Sequence, residues 1–198
     1  MKKRITSMTA ALAAVLTVAG LTLAVAPAQP AQAITCGTWR WPVKTGADAD
    51  RFKVSQTVDS TTVGHLRSLT APSSFPTFYQ THRFRGAERH TWQLTARLTQ
   101  YREEDDGDIH LVLRNSAGKD MIAEIPLGRC VALRSLWKSR IAAARATFTS
   151  HDPVSTSWHF VNQTITLRGL GFFDEVHNVT GQAPNGIELH PVTRVRFP

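Results

Sequence analysis

Several signatures of common chemistry are missing from this chain. It has no Gly-x-Ser-x-Gly elbow, no glycine-rich phosphate loop and no paired-cysteine zinc motif. The local hallmarks of α/β hydrolases, P-loop nucleotide enzymes and zinc ribbons are therefore absent. Beyond residue 33 no apolar run is long enough to span a bilayer. The composition also lacks the low hydrophobicity of a disordered chain, with 42% hydrophobic residues among 198. One ordinary globular domain is the expectation.

The first 33 residues read as a secretory signal peptide. Lys2, Lys3 and Arg4 form a basic start, Met8 to Ala26 an almost uncharged Ala/Leu/Val run, and Ala31-Gln32-Ala33 a small-residue cleavage signal. A single-span anchor is the rival reading, and the polar chain that follows favours cleavage after Ala33. Three positive side chains and no acid leave with the leader, so the net charge of +8 falls to +5. An extracellular, moderately basic protein is the result, open to polyanions without selecting one. Cys36 and Cys130 are the two cysteines, and in an oxidising compartment they are expected to form one disulfide rather than two buried thiols.

Residues 34–90 are rich in Pro, Ser and Thr and read as an N-terminal arm packed on the domain that follows. Within it Thr61 to Leu69 has room for one or two helical turns. Trp39 and Trp41 serve most simply as its apolar anchors, with a ligand-stacking platform as the alternative. Residues 91–198 carry the fold. Trp92, Leu94, Ala96 and Leu98 alternate with polar residues as a first strand, and Ile109, Leu111 and Leu113 form a second after the turn at Gly107. Met121 to Ile125 is a third. A helix capped by Ser135 follows, with Trp137, Ile141, Ala144 and Phe148 on one face. A fourth strand around Thr164 to Arg168 and a fifth from Ile187 to Phe197, interrupted by Pro191, complete the order. This β-β-β-α-β-β order predicts a mainly β, OB-fold-like five-stranded barrel, with an open α+β sheet as the alternative.

Four stretches resemble a family of uncharacterised secreted bacterial proteins with an OB-like barrel: WPVKTG from Trp41, DGDIHLVL from Asp106, MIAEIP from Met121 and APNGIELHPV from Ala183. The resemblance implies a shared fold and export and transfers no catalytic residues. A weaker resemblance is to the staphylococcal nuclease fold, through Asp106-Gly107-Asp108. The third strand, MIAEIP, departs from that enzyme class: Glu124 is its only acid and it has no arginine.

In an OB-fold the loop joining strands one and two lies beside the loop joining four and five, and together they frame the usual ligand site. That geometry groups Asp106, Asp108 and His110 with His177, Asn185, Glu188 and His190 as candidate ligand-binding residues. Asp106, Asp108 and His177 are the candidate metal ligands, for Ca2+ or another divalent cation. The alternative is a solvated acidic turn, with His110 and His190 on outward strand faces and Asn185-Gly186 acting only as a turn. Nucleic acid is admitted as a partner by Arg97, Arg114, Arg194 and Arg196 but not favoured, because the strands offer little aromatic surface beyond Trp92 and Tyr101. The expected function is a secreted binding module for an extracellular polyanion, glycan or protein. A metal-dependent secreted hydrolase is the alternative.

Overall fold

Alternating apolar residues build the sheet as the period-two rule requires. A computed structural model describes residues 34–198, so the leader expected at 1–33 lies outside the described residues. The strands are β1 (Val58–Ser60), β2 (Thr91–Glu103), β3 (Ile109–Arg114), β4 (Asp120–Ile125), β5 (His159–Phe173) and β6 (Ile187–Arg196). Along β2, Leu94, Ala96 and Leu98 point into the core, and a register shift between Leu98 and Gln100 then turns Tyr101 inward as well. The other walls of the core come from Ile109, Leu111 and Leu113 on β3, Met121, Ala123 and Ile125 on β4, and Ile165 and Leu167 on β5. Each of the Leu, Ile and Met side chains contributes about 1.5–3 kcal/mol by leaving water, and the alanines less.

The architecture is mainly β, with six strands in one mixed sheet. Five of them, in the order β2-β3-β4-β6-β5, close a ring through the β2–β5 pairing. The expected barrel is not an even one. Its parallel β4–β6 seam holds only Ile122 opposite Glu188 and Ala123 opposite Leu189, whereas β2 and β5 pair along most of their length. The arm also supplies a strand that its composition did not announce: β1 runs parallel to the start of β2.

Short helices α1 (Trp41–Lys44) and α2 (Val63–Arg67) belong to the arm, and α3 (Lys138–His151) follows β4. Thr62 caps α2 by accepting from the His65 amide, and Val63 and Leu66 enter the main core. On α3, Ile141, Ala144 and Phe148 are buried as expected from their spacing, with Trp137 buried just ahead. Ser135 is not the helix cap, however. Trp137 occupies that position without a side-chain cap, while the Ser135 hydroxyl donates to the Thr45 carbonyl and accepts from the Trp137 amide. Its role is to join the helix start to the arm.

Two buried ion pairs fasten the arm, and no strand pattern revealed them. Arg40 is fully buried among Trp39, Phe75, Phe84 and Phe172, and it holds Glu88 with two nitrogens at 2.7 and 2.8 Å. Arg40 also donates to the Phe173 carbonyl, and Glu88 accepts from the Phe173 amide, so the pair clamps the end of β5. Arg83 and Asp48 form the second pair at 3.0 Å.

Cys36 and Cys130 form the expected disulfide, closing a loop of 94 residues. A loop of that size contributes up to about 4–5 kcal/mol on the chain-entropy model. The double change Cys36→Ala and Cys130→Ala is expected to lower unfolding free energy in urea by roughly 2–4 kcal/mol. An unchanged denaturation midpoint would show that the bond does not restrain the arm.

Candidate functional site

The second strand-facing surface of β3 and β4 is where sequence and structure diverge most. Their inner residues fill the core, and of their outer residues, His110 on β3 and Glu124 on β4, the first had a solvated strand face as the alternative to a ligand role. The two stand directly opposite each other in the ladder and are both buried. The 174–186 loop covers them, with the Thr180 carbonyl 3.0 Å from His110 Nε2 and Gly181 packed on Val112. Glu188 and His190 on β6 lie on the same covered surface at 2% and 0% exposure, so the outward face that was the alternative for His190 is covered rather than solvated. Farther along β6 the same surface is uncovered, and Arg194 and Arg196 are exposed.

A chain of charge contacts crosses this covered region. Asp108 accepts from the Leu127 amide through one oxygen, and its other oxygen lies 3.2 Å from His190 Nε2. His190 Nδ1 lies 2.9 Å from Glu124 Oε2, and 3.8 Å from Glu188. Glu124 Oε1 lies 3.3 Å from His110 Nδ1, which is also 3.3 Å from Glu104 Oε1. Burial disfavours charge on His190, but Glu124, Asp108 and Glu188 outweigh it and hold the imidazolium well above its ordinary range. His190 with Asp108 therefore acts as a buried cationic brace behind Glu124. Glu124 remains ionised despite its own burial because His190, Lys44 and His110 surround it.

His110 differs from His190 in having one hydrogen-bonded nitrogen, whereas both nitrogens of His190 have ion-pair distances to carboxylates without a hydrogen bond. A carbonyl can only accept, so Nε2 carries the proton given to Thr180. Nδ1 is then turned toward Glu104 and Glu124, and neither oxygen lies where a ring N–H would point: the atom is buried without a hydrogen bond. Three ligand atoms from Glu104, His110 and Glu124 lie within 4.8 Å of one another. Separations of 3.3 Å match the edges of a coordination sphere with bonds of ~2.1 Å, where edges run to ~3.0–3.4 Å. A histidine whose second nitrogen donates to a backbone carbonyl is also the usual posture of a metal ligand. With only protons present, burial opposes the His110 charge while Glu104 and Glu124 raise it to about 10.

The trio opens into a cleft of about 390 Å³. Trp39 and Lys44 from the arm, Asp174 and His177 from the long loop, and Glu188 form the other walls. Burial works against the Lys44 charge, yet Glu124, Asp174, Glu188 and Asp108 keep its ammonium above the ordinary range, and its Nζ lies 3.7 Å from Asp174. Burial, with Glu124 and Asp174 adding to it, raises Glu188 to about 7, and one of its oxygens has no hydrogen-bond partner.

The remaining candidates fall elsewhere. Asp106 accepts the Asp108 amide in the turn, and burial with Asp108 nearby raises it to about 6. Asp106, Asp108 and His177 do not converge: His177 is exposed on the cleft wall, and Asp108 faces His190. Asn185 is a latch rather than a ligand, since its amide donates to the Leu66 and Leu69 carbonyls at 2.9 Å each. Gly186 beside it has φ +70°, and a Cβ there would meet the Asp174 carbonyl at 2.1 Å. The acidic turn is neutralised from within, by Arg145 on Glu103 at 2.7 Å and Arg102 on Glu104 at 3.2 Å. Lys44, Glu104 and Glu124 are the site residues that strand patterns did not single out. A lone acid on an otherwise apolar strand was the available signal for Glu124. The chain matches no protein-family model and no curated protein sequence.

Removing the charge of Glu124 leaves two imidazoles facing a neutral amide. Glu124→Gln is expected to cost about 3–5 kcal/mol in chemical denaturation, the usual penalty for breaking a buried pair from one side. A loss under about 1 kcal/mol would mean that the network is not held together by this carboxylate.

Proposed function

We propose that the protein is an exported binding module of the OB type, which takes its ligand in the cleft through a divalent cation held by Glu104, His110 and Glu124. The ring order, with a helix between β4 and β5 and a parallel seam closing the first three strands onto the last, supports the OB assignment. The cleft lies between the two loops that serve ligand binding in that fold. Export is supported by the disulfide and by the basic, apolar leader, and no helix among the described residues is long and apolar enough to cross a membrane.

The observation that carries the assignment is the buried, unpartnered Nδ1 of His110 aimed between two carboxylates at the wall of an open cleft. One imidazole and two carboxylates suit zinc or manganese better than calcium, whose sites are built from oxygen. Three protein ligands leave a coordination position for a ligand oxygen or water entering from the cleft. Lys44 and the cation favour an anionic ligand group.

A second reading is a metal-dependent hydrolase. It is favoured by Glu188, a buried carboxyl lining the same cleft, which would supply a general base if a metal ion and its water were held there. The resemblance to the staphylococcal nuclease fold points to the same broad class without supplying its residues.

Metal binding is separable from both. Adding zinc or manganese to chelator-treated protein should raise the melting temperature, by an amount equivalent to about 2.7 kcal/mol at a hundredfold excess over Kd. Glu104→Gln removes one ligand while leaving the brace behind Glu124, and it should abolish most of that rise. The pair Asp106→Asn and His177→Ala should leave the rise intact. Equal melting of the wild-type protein in chelator and in each metal would refute the cation site. Metal-dependent cleavage of phosphodiester or glycan substrates, lost in Glu188→Gln with metal affinity kept, would select the hydrolase.

A further inference from the structure

The uncovered part of the sheet carries a second feature, remote from the cleft and independent of it. Three strands present a grid of outward side chains. Its rungs are Gln93, Arg168 and Arg194, then Thr95, Thr166 and Arg196, then Arg97 and Thr164. Arg97, Arg194 and Arg196 are exposed, and Arg168 is half-buried with no partner for its Nε. A groove of about 470 Å³ runs along Arg168, Arg194 and Arg196.

No acid occupies the grid, and among the described residues none of its four arginines forms an ion pair. Asp120, at the end of the neighbouring strand, is committed to Arg114 at 2.6 Å, and the terminal Pro198 lines the groove without an ion pair to its arginines. Arg168 and Arg194 are direct cross-strand neighbours, and Arg97 faces Arg114 on its other side. Like charges placed opposite each other destabilise a sheet. The buried charges of the cleft are offset by opposite partners within the chain. The arginines of the grid have only solvent and neutral partners such as Gln93 and Asn162, which leaves their charge open to an anion.

We infer that this grid is a docking surface for a linear polyol phosphate, a phosphodiester polymer without stacking bases. Guanidinium forks pair with phosphate oxygens through two parallel hydrogen bonds. Arg194 and Arg196, two residues apart on one strand, are separated by ~6.8 Å, and Arg168 stands across from Arg194 at ~5 Å. Successive phosphates can therefore be held at once. Between and beside the arginines lie Gln93, Thr95, Thr164 and Thr166, whose amide and hydroxyl groups suit the alcohols of a polyol. Single-stranded nucleic acid is held largely by stacking on aromatic side chains; no rung position is aromatic, Phe197 at the groove's end already stacks on the His151 ring, and the exposed Phe160 lies in a neighbouring hollow beside Arg97.

The test is binding of poly(glycerol phosphate) to the intact mature protein, followed by calorimetry at several salt concentrations. Affinity should fall steeply with salt, as counterion release requires. The triple change of Arg168, Arg194 and Arg196 to Gln should weaken binding at least tenfold without lowering the melting temperature, because it relieves repulsion. The corresponding triple Lys variant keeps the charge and loses the fork, so it should bind more weakly than wild type and more tightly than the Gln variant. The inference is overturned if the Gln variant binds as wild type does. It is equally overturned if the Lys variant matches wild type, or if oligothymidylate with the same number of phosphates binds more tightly than the polyol. None of these outcomes depends on the metal site, which Glu104→Gln tests separately.

Discussion

Everything at the cleft depends on one carboxylate being held ionised where solvent does not reach it. Glu124 is 6% exposed, and a bare carboxylate there would be neutral. It stays charged because His190 stands behind it, itself braced by Asp108 and the Leu127 amide. The second oxygen of Glu124 is thereby left to face His110. The order of shells matters. His190, backed by Asp108, stands at one oxygen, and the other is presented, with His110 and Glu104, to the cleft.

Such an arrangement needs a cover, and the cover comes from chain segments outside the five-stranded ring. The arm brings Trp39 and Lys44 to the cleft, fastened by the disulfide at Cys36 and by Arg40, which clamps Glu88 and the end of β5. The long loop after β5 supplies Asp174 and the Thr180 carbonyl, and Asn185 ties its far end to the α2 segment. A buried ion pair such as Arg40–Glu88 adds little net stability over apolar side chains of the same volume. Its value here is positional: it fixes where the arm crosses the end of β5, and hence where Lys44 stands relative to Asp174 and Glu188.

Much of this was legible in residue patterns, and the remainder was hidden for physical reasons. Alternation along β2 and β3 and the four-three-four spacing on α3 follow from burial against one core, so they could be read directly. The Cys36–Cys130 bond followed from compartment and count. The alternative of a solvated outward face for His110 and His190 came from period-two alternation, which assigns a side of the sheet and says nothing about what covers that side. The cover is made of arm and loop, whose lack of periodicity hides their contacts. Asp106 and His177 were drawn in as ligands by proximity of their loops, yet loop proximity does not set side-chain direction. Glu104 and Glu124 do converge because one opens the turn after β2 and the other is locked opposite His110 in the ladder. Register decided the pairing, and register is invisible until the strands are matched.

Anomalous diffraction at the zinc and manganese edges, from crystals of the mature protein grown with each metal, tests the central claim most directly. The account predicts a single strong peak about 2.0–2.2 Å from His110 Nδ1 and from one oxygen each of Glu104 and Glu124, with the remaining coordination open to the cleft. A peak at the Asp106 turn or at His177 instead, or none at saturating metal with His110 still flanked by both carboxylates, would contradict it.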